Sequence, residues 1–549
     1  MAVALSWKGY VDTDLNFAEF FSANHTLIAR FMPQFPNTYE GPFVAENGAG
    51  TFGVGQGDFL SGADGTKLYL AVGTQMIMRA ATLTRNKWHH LAIVVTVSAT
   101  QRSFALYLDG TQLGQTLSVA LNAAQMPVGT LRFGKRTTGQ TVNGHDAQTY
   151  GLLDDIAIFT RALTASEIQN LRNNVPHLTG NEADLMAGYT FAEGQLLSKL
   201  ARPITLHGGA RRVITSANRD SASDASLLPQ PTRQQPMDLP FPPGEAWSVI
   251  QGVDEAEGSH KGYASFCWDF KIADKPQGGS HPEGSDGAPF YGCAPGTVVT
   301  MTESGVSGTS NSSNIIEIEQ ASGEICGYLH LKQNSSIVND NDHATMGQKL
   351  ALTGDTGANV GAFHLHLAMT DKPDGTSGFV TFPVAFSDYE IRVSSDIWQS
   401  VARGLPTANQ VIRIPPTPTF GARGLQVGNA IARGPSLLDI LATDNSGRVW
   451  VARSPSTYAR NWDRWRPVLS DIAISNTPAG VVARDANRLD VIIAGNDGKT
   501  YTGAWDKNFA SSQWRGWWNI LTGAIPPGGA VTAVSRDANK LDIFLVSTD

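Results

Sequence analysis

Residues 361–370 read GAFHLHLAMT, and the histidines at 364 and 366, separated by one leucine, decide how the middle of this chain is read. Phe363, Leu365, Leu367 and Met369 surround them, and a short apolar run of this kind bounded by glycine reads as a strand. Side chains alternate along a strand, so His364 and His366 project from one face while Phe363, Leu365 and Leu367 pack on the other. Taken as structure alone, the pair are polar residues on the open side of a half-buried sheet. Taken as chemistry, two imidazoles delivered to one point begin a metal site, because neighbouring strand positions can supply ligands to a single ion. The spacing by itself fits both.

Outward from this strand the histidines cluster. His260, His281, His330, His343, His364 and His366, six of the twelve in the chain, fall within about 110 residues. Four ordered motifs carry four of them. GSHKGYASFCWDFKI (258–272) places His260 at a turn and ends in a strand bearing Asp269, whose carboxylate is costly beside Phe266, Trp268 and Phe270 without a partner. GAPFYGCAPGTVVTM (287–301) reads as a turn and strand. NIIEIEQASGEICGYLHLKQ (314–333) reads as a hairpin through Ser322-Gly323 with His330 near its end. In MGQKLALTGDTGANVGAFHLHLAM (346–369), glycines crowd the approach to the paired histidines and permit tight turns around a groove.

Taken in order, these motifs resemble the lysostaphin-type zinc endopeptidases that cut peptidoglycan cross-bridges, over residues 240–390. The resemblance implies that His260, Asp269 and His366 bind one Zn2+ and leave its fourth position open. It also implies catalytic roles for His330 and His364, one taking a proton from the attacking water and the other donating to the tetrahedral intermediate or the departing amine; which does which is left open. One departure stands out. The compact family motif places the Asp four positions after the His, whereas KGYASFCW intervenes between His260 and Asp269, so Asp254 and Glu257 compete as ligands. His281 and His343 fall in loops outside the motifs.

Length and composition bound the rest. The 549 residues suggest three or four domains. Only 16% are charged, 56 are glycine and long helical periodicities are scarce, which points to a mainly β chain. A net charge of -8 without an Arg/Lys-rich run argues against nucleic acid as partner. Cys267, Cys293 and Cys326 are too few for a disulfide framework and leave at most one bridge. The opening MAVALSWKGYVDTDLNF lacks the basic and apolar regions of a Sec signal, and no stretch is long and apolar enough for a transmembrane segment.

Two stretches read as linkers, SANRDSASDASLLPQPTRQQPMDLPFPPG (216–244) and IPPTPTFGARG (414–424). Before the first, NKWHHLAIVV (86–95) and FALYLDGTQLG (104–114) form adjacent strands with Asp109-Gly110 as a hairpin turn. Together with GLLDDIAIFTRALTASEIQNL (151–171) and LMAGYTFAEGQ (185–195), they resemble laminin-G-like, concanavalin-type jelly rolls, which implies binding to carbohydrate or protein surfaces. His89 and His90 are read as structural there. Asp154 and Asp155 are read as fixing a turn, with calcium as the other reading.

After the second linker the chain repeats itself. IARGPSLLDILATDNSGRVWVA (431–452) returns in VARDANRLDVIIAGNDGKTYTGA (482–504) and VSRDANKLDIFLVSTD (534–549), with a period near fifty residues set by Asp439, Asp490 and Asp542. The wording is similar to bacterial fucose-binding propeller lectins. Two blades and the start of a third imply a truncated propeller or blades shared between chains, with truncation the favoured expectation. Trp450, Trp505, Trp517 and Trp518 are read as blade core, with no sugar site assigned.

The expected architecture is mainly β and multidomain: a β-sandwich jelly roll (1–214), a linker (215–239), a β-rich lysostaphin-type zinc peptidase domain (240–395), a linker (396–420) and a partial β-propeller, lectin-like (421–549). The expected function is zinc-dependent cleavage of peptidoglycan peptide bonds, directed by carbohydrate-binding β domains to cell-surface glycans. Its expected site of action is extracellular or the target-cell envelope, reached from the cytoplasm by a non-Sec route, as a toxin or as cargo of a secretion or injection apparatus or phage-related particle. The competing expectation is a non-catalytic glycan-binding adhesin with a degenerate peptidase domain.

Overall fold

A computed structural model of the chain describes residues 2–6, 9–16, 23–35, 40–47, 50–56, 67–73, 75–81, 83–120, 130–134, 149–174, 181–189, 204–215, 221–228, 237–255, 258–260, 264–309, 312–358, 361–371, 381–395, 397–416, 427–434, 437–444, 447–454, 465–469, 479–495, 497–506, 514–521 and 531–545. It is a multidomain β protein. Glu257, one of the competing ligands, lies outside the described residues.

In the first module a nine-stranded and a seven-stranded sheet enclose an aliphatic and aromatic core that includes Val3, Leu27, Phe31, Leu91, Ile93, Phe104, Phe133 and Ile156. The strand His25–Pro33 is buried along its whole length. Its inner face meets that core, and Ile28 on its outer face packs with Ile168 of the helix Ala165–Asn174, so Leu27, Ile28 and Ala29, and again Phe31 and Met32, run consecutively instead of alternating with polar residues. Asp109 and Gly110 both have positive φ, 50° and 83°, and join Arg102–Leu108 to Thr111–Gln112 by the two-residue turn that Asp-Gly favours. The Trp-His-His strand is accounted for by the same turn. Asp109 Oδ2 lies 2.8 Å from His89 Nδ1, Asp109 Oδ1 accepts from the His90 amide, and Thr84 N donates to His89 Nε2.

Part of the expected first linker is packed. Ser221 caps a 3₁₀ helix over Ala222–Leu227, and the buried Asp224 accepts a hydrogen bond from Trp88 Nε1 at 3.0 Å. Met237 and Leu239 already belong to the core of the middle module. That module is built on a ten-stranded sheet in which Gly296–Thr302, Ile315–Glu319, Ile325–Leu329, Leu365–Thr370, Cys267–Ile272 and Trp247–Gln251 are successive neighbours. Trp247, Trp268 and Tyr328 are fully buried beneath it, and each indole N–H is satisfied, by Glu245 Oε2 and by the Pro406 carbonyl.

The expectation of a linker over 396–420 is corrected by this sheet. Ile397–Gly404 pairs with Phe386–Ser394 at the sheet edge, and Val411–Arg413 inserts between Phe386–Ser394 and Trp247–Gln251, with Ile412 and Ile414 in the core. Proline at 406, 415 and 416 breaks the segment into pieces too short for periodicity to show, although their apolar positions still require burial. The three cysteines are buried free thiols.

The third region holds two successive four-stranded antiparallel sheets, beginning at Val427 and Gly480, and a final hairpin, Val531–Asp537 with Lys540–Leu545. The aspartates that set the sequence period each accept an arginine from the preceding strand: Arg433 to Asp439, Arg484 to Asp490 and Arg536 to Asp542. Trp450 and Trp505 are buried, Trp517 is partly buried, and Trp518 is half exposed. Among the described residues no helix is long and apolar enough to cross a membrane.

Candidate metal centre

Three neighbouring strands of the ten-stranded sheet assemble the site. Cys267–Ile272 and Leu365–Thr370 run antiparallel with Asp269 directly opposite His366, so the two side chains emerge side by side on one face. On the other flank Ile325–Leu329 pairs Leu329 with His366, which brings the next residue, His330, to the same end. His330 has φ of 65°, a left-handed conformation uncommon outside glycine, which turns the chain at the edge of the site. His364 bridges Gly354 just before its strand begins, and Leu365 and Leu367 are buried on the opposite face. Phe363 is only partly buried.

His260 arrives from the loop between Trp247–Gln251 and Cys267–Ile272. Its ring is fully buried, and Nδ1 lies 3.0 Å from the Gly252 carbonyl, which leaves Nε2 facing inward. Asp269 Oδ1 is 3.3 Å from His260 Nε2 and 2.8 Å from His366 Nδ1, and the ring centroids of His260 and His366 are 5.2 Å apart. One ligand atom from each of His260, Asp269 and His366 lies within 4.8 Å of the others. Asp254, the other competing ligand, is buried in the same loop with its backbone amide donating to the Ser265 carbonyl, and the converging group is His260, Asp269 and His366.

Whether this set suits a metal is decided by its donors. A neutral His260 that donates through Nδ1 presents its Nε2 lone pair to the Asp269 carboxylate, a repulsive pairing unless a proton or a cation lies between them. That Nε2 is buried without a well-formed hydrogen bond. Burial pulls His260 toward neutrality, but Asp269 more than offsets it and holds its pKa above the ordinary value. Burial alone would raise the Asp269 pKa; the His260 and His366 imidazoles beside it drive it well below the carboxylate range. Two imidazoles and one ionised carboxylate match the three protein ligands of a catalytic metal site.

His330 and His364 stand beside the trio. Their ring centroids are 4.7 Å apart, and His330 lies 5.7 Å from His366. His330 Nδ1 faces the Thr356 carbonyl at 2.8 Å and Ser313 Oγ at 3.2 Å, while His364 Nδ1 faces the Ala362 carbonyl. Each contact to a carbonyl assigns the proton to Nδ1 and leaves Nε2 as the acceptor. Burial, reinforced by His364 and His366, pushes the His330 pKa down to about 3, and burial also lowers that of His364. Both are therefore neutral near pH 7 and able to accept a proton.

The supports of these rings had little signal in the sequence. Thr356 lies in the Gly354–Gly357 turn that the glycine pattern marked, and its hydroxyl also donates to the Leu331 carbonyl and accepts from the Asn314 amide. Asp355 Oδ2 accepts from the Gly308 and Gly361 amides and so joins two loops. Ser313 stands in a polar stretch that nothing distinguishes. His281 pairs with Glu245 at 2.6 Å, and His343 is exposed.

Comparison with known proteins adds two family matches. Residues 7–169 match the concanavalin A-like lectin/glucanases superfamily, and residues 275–376 match peptidase family M23. The chain thus carries a concanavalin-like module and a module of a metallopeptidase family; neither match extends into residues 421–549. No curated protein matches the chain. Similar solved structures include a heptameric SAP-like pentraxin from Limulus polyphemus (15% identity, TM-score 0.26, 37% of this chain and 93% of that one). Another is the M23 metalloprotease pseudoalterin from the deep sea (17%, 0.22, 31% and 95%), and a third is the NanB sialidase of Streptococcus pneumoniae (11%, 0.24, 97% and 84%).

Proposed function

We propose that the protein is a zinc-dependent endopeptidase that cleaves peptide bonds of peptidoglycan, with its flanking β modules holding it on glycan-coated surfaces. The observation that carries this reading is the convergence of His260, Asp269 and His366 on one point, with the neutral rings of His330 and His364 alongside. The M23 match over 275–376 supports the reaction class. The concanavalin-like match over 7–169 supports glycan attachment, since weak binding modules raise the local concentration of the enzyme at a surface.

When bound, zinc supplies Lewis acidity toward the scissile carbonyl and acidifies water. His260, Asp269 and His366 hold it, and the Asp269 charge favours the cation. His330 and His364 lie on the same side as these ligands, each with Nδ1 committed to a carbonyl and Nε2 left to move protons. One of the two receives the proton of the attacking water, and the other, once protonated, donates to the developing oxyanion or the departing amine. Delivery to a target-cell envelope by a secretion or injection apparatus belongs to the same proposal. So does the reading of residues 421–549 as part of a propeller lectin, for which the repeated four-stranded sheets are the support.

The competing reading, a glycan-binding adhesin with a degenerate site, requires Asp269 to be displaced by the long loop after His260. Its place against both histidines favours the enzyme. The test is incubation of the full chain with purified peptidoglycan and mass analysis of released peptides. New amino termini that disappear on chelation and return with zinc are expected; intact peptides with the zinc-loaded chain would leave the adhesin.

A further inference from the structure

The loop that delivers His260 is braced by side chains from the first module. Phe35 follows the strand His25–Pro33 and Tyr150 precedes Gly151–Phe159; Gln34 N donates to the Tyr150 carbonyl at 2.8 Å and fixes the two side by side. Their rings close edge-on around Phe266, with centroids 4.9 Å (Phe35) and 5.3 Å (Tyr150) from it and 5.7 Å from each other. All three are buried, and Phe35 and Tyr150 belong to the hydrophobic core of the middle module despite lying more than a hundred residues before Phe266. Arg85 covers the Phe35 ring, its guanidinium carbon 5.1 Å from the centroid.

Phe266 is where the loop from Gly252 ends and the strand carrying Asp269 begins. Within that loop Asp254 N donates to the Ser265 carbonyl, Gly252 N to Glu255 Oε1 and Glu255 N to the His260 carbonyl. The loop is thus cross-tied within itself, and Phe266 fixes its end, through its backbone N–H donating to Thr381 Oγ1 and a ring held by Phe35 and Tyr150. A catalytic metal site depends on ligand placement within about half an ångström, which must come from residues that lock the ligands from behind.

We infer that the first module is a structural part of the metal centre: Phe35 and Tyr150 are positioning residues that hold the Gly252–Phe266 loop through Phe266, so that His260 meets Asp269. The inference rests on the metallopeptidase reading of the site. It gives the first module a role that glycan attachment does not include, and the two roles are separable by experiment.

The test uses the full chain with Phe35→Ala, the milder Phe35→Leu, Tyr150→Ala, the ring-preserving Tyr150→Phe, and Leu91→Ala as a core truncation elsewhere in the first module. Zinc affinity is read by competition with a chromophoric chelator, and amide exchange at Asp254 and Phe266 is read in metal-free protein. Phe35→Ala and Tyr150→Ala should each weaken zinc binding by about tenfold or more, the loss usual for outer-shell supports. They should also speed exchange at both amides, with Phe35→Leu intermediate and Tyr150→Phe and Leu91→Ala near native. Unchanged affinity and exchange in folded Phe35→Ala, or an equal loss in Leu91→Ala, would overturn the inference alone. A native chain that takes up no zinc would overturn it together with the peptidase reading.

Discussion

Asp269 and His366 face each other across an antiparallel strand pair, Oδ1 2.8 Å from Nδ1, although 97 residues separate them in the chain. The sheet register brings a carboxylate and an imidazole into ligand spacing, and the loop after Gly252 adds His260 from a third direction. Replacing His366 by alanine removes one donor and leaves Asp269 short of a compensating partner. Release of peptides from peptidoglycan should fall by more than about a hundredfold, beyond the 10–100-fold typical of losing a mere support, in an assay of new amino termini.

His330 and His364 should separate chemistry from metal binding. Neither belongs to the ligand trio, so His330→Ala and His364→Ala should each retain zinc while hydrolysis falls by about 10²–10⁴-fold, the range for a positioned acid or base. Zinc content and turnover measured on the same samples check this.

The depressed pKa of His330 makes stability depend on pH. Its folded value of about 3 lies below its ordinary 6.5, so the neutral ring favours folding fully above pH 6.5. As pH falls from 6.5 toward 3 the unfolded chain takes up the proton and the folded chain does not, and this contribution is lost. Urea unfolding at pH 7 and pH 5 should therefore show a larger loss for the native chain than for His330→Gln.

Arg466, in the first sheet of the third region, reaches Asp238 at 2.8 Å and Asp388 at 2.9 Å in the middle module. Asp238 is buried. Arg466→Met leaves that carboxylate without its arginine, and loss of one partner of a buried pair costs about 3–5 kcal/mol. A lower urea midpoint for the transition that includes the middle module is the expected result.

The sequence made much of this legible because the signals were local. His-x-His on a strand, Asp-Gly at a hairpin and the fifty-residue recurrence of Asp439, Asp490 and Asp542 each state their geometry within a few residues. Other features depend on contacts that no local pattern encodes. Ser313 and the Ala362 carbonyl support the histidines through loop geometry, and Phe35 meets Phe266 from another module of the chain. The strand at Val411–Arg413 was hidden by flanking prolines, which mark linkers and sheet edges alike. Asp269 lay between these cases: its cost among aromatics indicated a partner, and the strand register identified the partner as His366.

The most direct test of the metal centre is elemental analysis of the purified chain, after chelation and reconstitution with zinc, beside the same measurement on Asp269→Ala. About one zinc per chain in the native protein and none in the variant is the predicted result for a three-ligand catalytic site. No zinc in the native chain, or equal zinc in both, would contradict it.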